Sequence, residues 1–263
     1  MEIIRNFNSE YLLKIITKVR NKLRCKELDG IKHQIWWRGH WTSTWRLVPS
    51  VYREGRDHDY ERHVAVRFKR QAPARYSQCP TSNIDWLFLM QHYRLPTRLL
   101  DWTESPLIAL FFAVSEFFAI PENDSKPAAL WAMNPFLLNQ SQIEGMRVPT
   151  SPTHPIVKSM AREAFEVNPG NGEYKDKIIA VYPPHRDIRM LIQQAAATLH
   201  GTIKPIEELE NNERFLVKIE IPPKQRQSLR AILNTLNIKL SIIFPDLEHL
   251  AQDIAFSTDG DNA

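Results

Sequence analysis

The sequence predicts an α+β fold, a single mixed-sheet domain flanked by helices. Two apolar segments of helix length, at residues 84–93 and 105–118, border a short polar connection. Short β-branched or aromatic runs recur along the chain between polar turns, as is typical of strands. No internal repeat, low-complexity tract or clear linker divides the 263 residues. We therefore expect one domain, long enough to bury a sizeable core.

Apolar spacing and end signals place the predicted helices. Residues 10–23 carry apolar side chains near helical spacing behind Asn8 or Ser9 as the cap. Ser105 suits the cap of helix 105–118, and Pro106 suits its first position, where the missing N–H costs nothing. Further helices are predicted at residues 53–75, 84–93, 187–199, 224–236 and 245–254, the third of them fraying into a strand.

Strands are predicted at residues 33–40, 97–101, 128–133, 178–182 and 215–221. Residues 134–176 are polar and rich in proline, which predicts a lid, a binding loop or a disordered segment. The predicted layout is an N-terminal helical extension at 1–29, the main domain at 30–256 and a disordered tail at 257–263.

Composition narrows the class of protein. The chain is 43% hydrophobic and 24% charged with a net charge of +4, which permits but does not require a nucleic-acid partner. Cys25 and Cys79 are too few for a disulfide framework or a cysteine-based zinc site. No signal peptide and no apolar run near the roughly 18 residues of a membrane span is present. These features predict a soluble cytoplasmic protein with no membrane association.

Common nucleotide-binding and hydrolase motifs are absent from the sequence: it has no P-loop, G-x-G-x-x-G, H-E-x-x-H or G-x-S-x-G. With 8 glycines the chain can build little phosphate-cradling loop. Nucleotide binding would therefore rest on arginines, aromatic stacking and helix N-termini. No metal site is predicted.

Two arginine segments are the main candidate sites. Arg38 follows an aromatic strand and precedes Gly39, so it could hold a pyrophosphate or a carboxylate bidentately; a structural ion pair in the core is equally open. Arg98 and Asp101 flank two leucines, so they could serve a ligand or form a buried pair that fixes the strand.

Weaker candidates lie around these segments. His92 could donate to a sugar or phosphate, or could interact with the dipole at a helix C-terminus. Most of the tryptophans near these motifs are expected in the core, although one or two could stack on a nucleobase or nicotinamide. Glutamine pairs such as Gln193-Gln194 are usually solvated.

The quoted residues resemble a known family. The runs WWRGH at 36–40 and HYRLPTRLLDWTESPLIALFFA at 92–113 are similar to the FRG domain family, named for a Phe-Arg-Gly triplet. Here Trp37 replaces the phenylalanine before Arg38 and Gly39. Segments 189–200 and 236–251 resemble the family's C-terminal blocks, with Ala195 where a glycine is usual. The resemblance covers about residues 30–254.

This resemblance implies a biological setting and a chemistry. FRG domains occur in bacterial and phage-defence contexts, including toxin–antitoxin-like systems. Their layout resembles that of ADP-ribosyltransferases, which cleave NAD at the nicotinamide–ribose bond. The resemblance implies an ADP-ribosyltransferase-like core, NAD as substrate, a nucleic-acid or protein acceptor, and an antitoxin or defence-system partner.

The same resemblance implies roles for individual residues. The implied catalytic residues are Arg38, Arg98, Asp101 and Gln193. The residues implied to bind NAD are Arg38, Gly39, His92, Tyr93, Thr97 and Arg98. Gln193 stands near the position of the transferase glutamate but cannot act as a base; Glu166 and Glu173 are the alternatives. The competing hypothesis is a non-catalytic module that senses a nucleotide or another ligand, in which the Arg–Asp–His cluster holds the fold or binds that nucleotide.

Overall fold

A computed structural model describes residues 1–5, 7–24, 34–146, 148–167, 172–184 and 187–260, with side chains described to residue 255. The described strands are β1 (Glu2–Ile4), β2 (Trp36–His40), β3 (Leu99–Thr103), β4 (Ala128–Met133), β5 (Ile178–Val181), β6 (Ala195–His200) and β7 (Leu216–Ile221). The helices are α1 (Leu12–Lys22), α2 (His58–Gln71), α3 (Asn83–His92), α4 (Pro106–Val114), α5 (Pro135–Gln142), α6 (Pro155–Arg162), α7 (Ile188–Ile192), α8 (Arg226–Thr235), α9 (Leu240–Ile243) and α10 (Leu247–Gly260).

The strands form one mixed sheet in the order β1-β7-β4-β2-β3-β6-β5. β1 pairs with β7 in parallel, and the other neighbours pair antiparallel. Helices pack on this sheet, so the predicted α+β class is confirmed.

The centre of the sheet has a weak seam. β2 pairs with β4 along its whole length, from Trp36 to His40. β2 and β3 are paired only between Trp37 and Thr103. Beyond that pair the two strands separate, which leaves a gap beside Arg38.

Two groups of helices cover the face of the sheet that carries Trp37 and Thr103. Apolar residues of α1, α4, α8 and α9 form a core with β4 and β7. Apolar residues of α3 and α6 form a second core with β5 and β6. The opposite face buries Trp36, Trp102 and Trp131 beneath loops and α5. The seam between β2 and β3 lies where the two helix groups meet.

Several predicted elements are confirmed within a residue or two. The strand at 128–133 agrees at both ends, and α4 begins at Pro106 with Ser105 as its cap, the Ser105 side chain accepting from the Ile108 N–H. The strand predicted at 97–101 lies at Leu99–Thr103, two residues later. The final helix begins at Leu247 and reaches Gly260, so it overlaps the predicted tail, of which residues 261–263 lie outside the described part.

The long loop predicted at 134–176 is wrong, because it contains α5 and α6. Each helix begins with proline at its first position, behind Asn134 and His154 as caps. Proline is favoured at exactly that position, so the residues that suggested a loop are helix start signals. The N-terminal segment also contributes a strand and buried core residues to the same sheet; its residues 25–29 lie outside the described part.

Candidate functional site

A cleft opens at the seam between β2 and β3. Its first lobe has a volume of about 440 Å³ and lies between β2, β3 and α4. A second lobe of about 350 Å³ lies beside α3 and α7. The residues that line both lobes are Asp101, Trp102, Arg189 and Gln193. The cleft is therefore a two-chambered groove with Asp101 and Arg189 where the chambers adjoin.

Arg38 bridges the gap at the seam. Its Nη1 donates to the main-chain oxygen of Asp101 at 2.5 Å, across the point where the strands separate. Its Nε donates to His40 Nε2 at 2.9 Å. Burial lowers the pKa of Arg38 to about 10, a shift that Asp101 opposes and Arg53 reinforces. Arg38 therefore stays cationic near neutral pH, and the predicted placement of this residue in a cleft is observed.

Burial likewise holds the pKa of His40 well below its ordinary value, with Arg38 and Arg53 adding to the shift. A neutral imidazole can accept a hydrogen bond, and Arg38 can only donate one. His40 therefore fixes the orientation of the Arg38 guanidinium.

Gly39 is required by packing. A Cβ at this position would lie 1.9 Å from the main-chain oxygen of Ala109 and 2.7 Å from the nitrogen of Ala113. The glycine thus lets β2 press against α4. Gly39 lines the first lobe, but its main chain is engaged in the ladder with Leu130.

Four arginines that line the two lobes lack an acidic partner. Among the described residues no carboxylate lies within 4 Å of the guanidinium of Arg38, Arg53, Arg94 or Arg189, although several arginines elsewhere are paired, such as Arg162 with Glu166. Arg53 donates from Nε and Nη2 to the Val48 main-chain oxygen at 3.0 and 2.8 Å. A cluster of guanidinium groups without counter-charges is a natural binding site for an anion.

Arg189 comes from α7, on the far side of the cleft from β2. Its guanidinium lies over the Phe244 ring at 4.3 Å from the centroid. Burial lowers the pKa of both Arg189 and Arg53, and Asp101 raises each in opposition. Sequence reasoning missed both arginines as site residues, although Arg189 opens one of the segments that resemble the family.

Asp101 is the acidic group at the centre of this cluster. Its side chain is exposed, and Oδ2 accepts a hydrogen bond from Gln91 Nε2 at 2.9 Å. Gln91 Oε1 in turn accepts from Thr97 Oγ1 at 2.5 Å. The Thr97 hydroxyl thus orients the Gln91 amide, and the amide orients the carboxylate.

Arg98 and Thr97, which were expected to bind the ligand, are both fully buried and line neither lobe. Arg98 Nε donates to Glu61 Oε2 at 2.8 Å, and Nη1 donates to Glu163 Oε2 at 2.9 Å. Burial alone would lower the pKa of Arg98, but Glu61 raises it above its ordinary value. Asp101 is three residues after Arg98, and side chains three apart in an extended chain point to opposite faces. Asp101 therefore does not hold the Arg98 guanidinium in place, as was predicted.

The remaining candidates divide between the cleft and the surface. His92 lines the second lobe, with Nδ1 3.1 Å from Asp187 Oδ2. Tyr93 is 54% exposed and lines neither lobe. Glu166 pairs with Arg162 on the surface and does not line the cleft.

Gln193 lines both lobes, as the segment that resembles the family suggested. Its Nε2 donates to the Ile243 main-chain oxygen at 3.1 Å, and its own main-chain oxygen accepts from Thr103 Oγ1 at 2.7 Å. These bonds tie α7 and α9 to the end of β3. Gln193 supplies no carboxylate, so Asp101 is the acidic group among the residues that line the two lobes.

Aromatic side chains form much of the wall of the first lobe. Trp41 and Trp102 are buried and Trp45 is 40% exposed. Phe112 and Phe118 complete the wall on the α4 side. A groove that combines flat apolar rings with cationic donors fits a ligand that has both a planar ring and phosphate groups.

Within the described residues no helix is both long and apolar enough to cross a membrane.

Comparison with known proteins agrees with the motifs. No curated protein and no solved structure matches the chain. The model of the FRG domain matches residues 33–120, a range that contains Arg38, Gly39, Arg53 and Asp101. Residues 33–120 are thus similar to the FRG domain, and this segment supplies the β2 and β3 walls of the cleft.

Proposed function

We propose that the cleft binds NAD and that the protein cleaves its nicotinamide–ribose bond to transfer ADP-ribose. The observation that carries this proposal is the set of Arg38, Arg53 and Arg189 without acidic partners around the single carboxylate of Asp101. Guanidinium groups match the diphosphate in charge and geometry. Two adjoining lobes offer separate places for the two ends of a dinucleotide.

Cleavage of the nicotinamide–ribose bond is favoured by a carboxylate near the ribose. When the bond between C1′ and the pyridinium nitrogen breaks, its electron pair leaves with nicotinamide and positive charge develops on the ribose ring. Asp101 would stabilise that charge, or accept a hydrogen bond from the ribose 2′-OH. A nucleophile of the acceptor then bonds to C1′ and releases its proton to solvent. Gln193 can orient a hydroxyl but can take no proton.

The acceptor and the setting follow from the family resemblance. We propose a nucleic-acid or protein acceptor and a role as a toxin or phage-defence effector, with an antitoxin or defence-system partner to restrain it. The net charge of +4 suits a phosphate-bearing acceptor.

A second candidate is a non-catalytic module that senses a nucleotide. It is favoured by the burial of Arg98 against Glu61 and Glu163, which removes one of the two arginines expected to clamp NAD. It is also favoured by Gln193, whose amide is engaged with Ile243. In this role the cleft binds the ligand and does not cleave it.

Purified protein incubated with NAD and a cell lysate separates the two candidates. The transferase hypothesis predicts free nicotinamide, and adenylate label from NAD on a macromolecular fraction, both lost in Arg38→Ala. Nuclease or protease treatment of that fraction identifies the acceptor class. Saturable NAD binding without nicotinamide release from any fraction would establish the sensing module instead. Growth inhibition on expression, relieved by Arg38→Ala, is an independent companion measurement.

A further inference from the structure

The helix α10 presents its apolar side chains to solvent. Five of its apolar residues follow the spacing i, i+3, i+4, i+7, i+8, which places them on one face of the helix. All five are exposed, and they are Leu247, Leu250, Ala251, Ile254 and Ala255. Leu247 is 83% exposed, Leu250 44% and Ile254 58%. In most helices of a folded domain a stripe of this kind faces the core.

The polar face of the same helix is turned toward the protein. His249 is 5% exposed, and its ring stacks on that of Phe244 with 4.6 Å between the centroids. Asp253 Oδ2 accepts from the Ser241 main-chain N–H at 3.2 Å and from the Ser241 hydroxyl at 2.5 Å. These contacts fix the rotation of α10 about its axis, so the apolar face is held outward by the fold.

The apolar face continues into a groove. Leu250 and Ile254 form one wall of a groove of about 710 Å³ between α8, α9 and α10. An exposed apolar surface of this kind marks a site of interaction with another molecule. The groove is separate from both lobes of the cleft, because none of its apolar lining residues lines either lobe. The apolar residues on its other walls are Phe111, Phe117, Leu233, Ile238, Leu240 and Ile242.

Carboxylates border the apolar face of α10. At 100° per residue, Glu248 lies at one edge of the stripe and Asp253 at the other. Residues 246–260 contain four Asp or Glu and no Lys or Arg, although the net charge of the chain is +4. Asp246 and Glu248 also stabilise the N-terminus of the helix, whereas Asp253 lies beyond the first turn. The charge of α10 is therefore opposite to that of the chain as a whole.

The groove adds one ion pair and one further cation to this surface. Arg230 Nη1 lies 2.7 Å from Glu116 Oε1, so these two charges cancel. Lys239 is the other cationic residue of the lining. The carboxylates along the edges of α10 outnumber it, so the surface as a whole is apolar with an acidic border.

We propose that this face of α10 and the adjoining groove bind an amphipathic helix of a protein partner, one whose apolar stripe is flanked by Lys or Arg. Burial of the two apolar stripes provides affinity, and the basic flanks meet Glu248 and Asp253. The inference does not depend on the ligand of the cleft.

Two other occupants fit the charges less well. In a symmetric dimer the same patch meets itself, so two α10 helices packed face to face would bring acidic edges together. Helices that lie on anionic membranes carry Lys and Arg on their polar face, which α10 does not.

Selection of displayed peptides on the wild-type protein tests the chemistry of the partner. The library consists of peptides of about 18 residues, since shorter helices are marginal in water. Leu and Ala are fixed at the spacing of the α10 stripe, and the flanking positions are randomised. We expect Lys and Arg to be enriched at the flanking positions and Asp and Glu to be depleted. One selected peptide, and an analogue with Glu at every flanking position, are then titrated by fluorescence anisotropy.

The titrations compare Leu247→Ser with Leu13→Ser. Leu13 is a matched control, because it is 74% exposed near the start of α1 and does not line the groove. Both leucines are exposed, so both variants should keep the fold. Leu247→Ser should weaken binding of the selected peptide about tenfold, and Leu13→Ser should leave it unchanged. Glu248→Lys should weaken it about two- to fivefold and reduce its dependence on salt.

Four results would overturn the proposal. They are no enrichment of peptides, an analogue with Glu flanks that binds as tightly as the selected peptide, equal effects of the two leucine substitutions, and an unchanged affinity in Glu248→Lys. A dimer in sedimentation experiments that Leu247→Ser dissociates would replace the partner by a second copy of the chain. Binding to phosphatidylglycerol vesicles that Leu247→Ser abolishes, without peptide binding, would replace it by a membrane. Nicotinamide release bears on none of these outcomes, so the two proposals fail separately.

Discussion

Arg98 is sealed in the interior against Glu61, with its Nη2 2.8 Å from Glu61 Oε2 and neither side chain exposed. Glu61 Oε1 also accepts from the Arg98 main-chain N–H at 2.9 Å. This pair joins the start of α2 to the chain just before β3. It therefore positions the strand that carries Asp101.

Removal of one partner of the Arg98–Glu61 pair should lower the free energy of unfolding. Arg98→Met leaves the Glu61 carboxylate buried without a counter-charge, and breaking a buried pair in this way costs about 3–5 kcal/mol. Urea unfolding measures the loss. The double variant Arg98→Met with Glu61→Leu should lose less than the sum of the two single losses. A stable Arg98→Met protein that no longer binds ADP-ribose would contradict the structural role and reinstate Arg98 as a ligand residue.

Substitution of Arg189 should weaken ligand binding and leave the stability of the fold nearly unchanged. Arg189→Gln removes a cleft cation that has no acidic partner, so ADP-ribose affinity should fall about tenfold or more. The unfolding free energy should change by only about 1 kcal/mol, mostly through the lost contact with Phe244. Arg162→Gln is the control, since it removes an equal charge from a surface pair with Glu166. Similar affinity losses in both variants would show a general charge effect instead of a site.

Gly39 should tolerate no side chain. The Cβ of Gly39→Ala would meet main-chain atoms of α4, the nearest at 1.9 Å, and main chain cannot rotate away. Overpacking costs about 1–3 kcal/mol, and we expect a loss at or above the top of that range. Gly55→Ala, where φ is +73° and no atom lies within 4 Å, should cost only about 1–2 kcal/mol. Equal losses in the two variants would show that β2 does not depend on this close approach.

Acid should destabilise the fold through His200. Burial, with Arg38 and Arg98 nearby, lowers the pKa of this fully buried histidine to about 3. In the unfolded chain the His200 imidazole is protonated below about pH 6.5, whereas in the folded state it stays neutral down to about pH 3. The unfolding free energy should therefore fall by about 1.4 kcal/mol per pH unit between those values, or about 2 kcal/mol from pH 7 to pH 5.

Urea titrations at the two pH values measure this dependence. His200→Gln should remove the His200 share of the slope. An identical slope in wild type and His200→Gln would contradict the assignment.

The sequence predicted those helices and strands whose bounds are determined by residues within a few positions. The strand at 128–133 and the helix that starts at Ser105-Pro106 were predicted because apolar runs and cap residues are read within a few positions. The helices α5 and α6 were missed because the same proline signal marks loops and helix starts. β1 was missed because a three-residue strand acquires its pairing only from β7, more than two hundred residues away.

Only part of the cleft was predicted, because some of its residues come together only in the folded chain. Arg38 and Asp101 were identified from a motif, and both lie in the cleft. Arg98 is buried outside the cleft. Its partners Glu61 and Glu163 are distant in sequence, and nothing local distinguishes a buried pair from a ligand clamp. Arg53 and Arg189 join the site only through folding, from a loop before α2 and from α7.

The most direct test of NAD cleavage compares nicotinamide release by wild type and Asp101→Asn under saturating NAD. The substitution removes the carboxylate and keeps an oxygen that can accept from Gln91. It also removes a negative charge from the arginine cluster, so ADP-ribose binding should be retained or tightened. We predict that release falls at least about a hundredfold, since an electrostatic group at the reacting centre is worth several kcal/mol. Undiminished release by Asp101→Asn at full ligand occupancy would contradict the account.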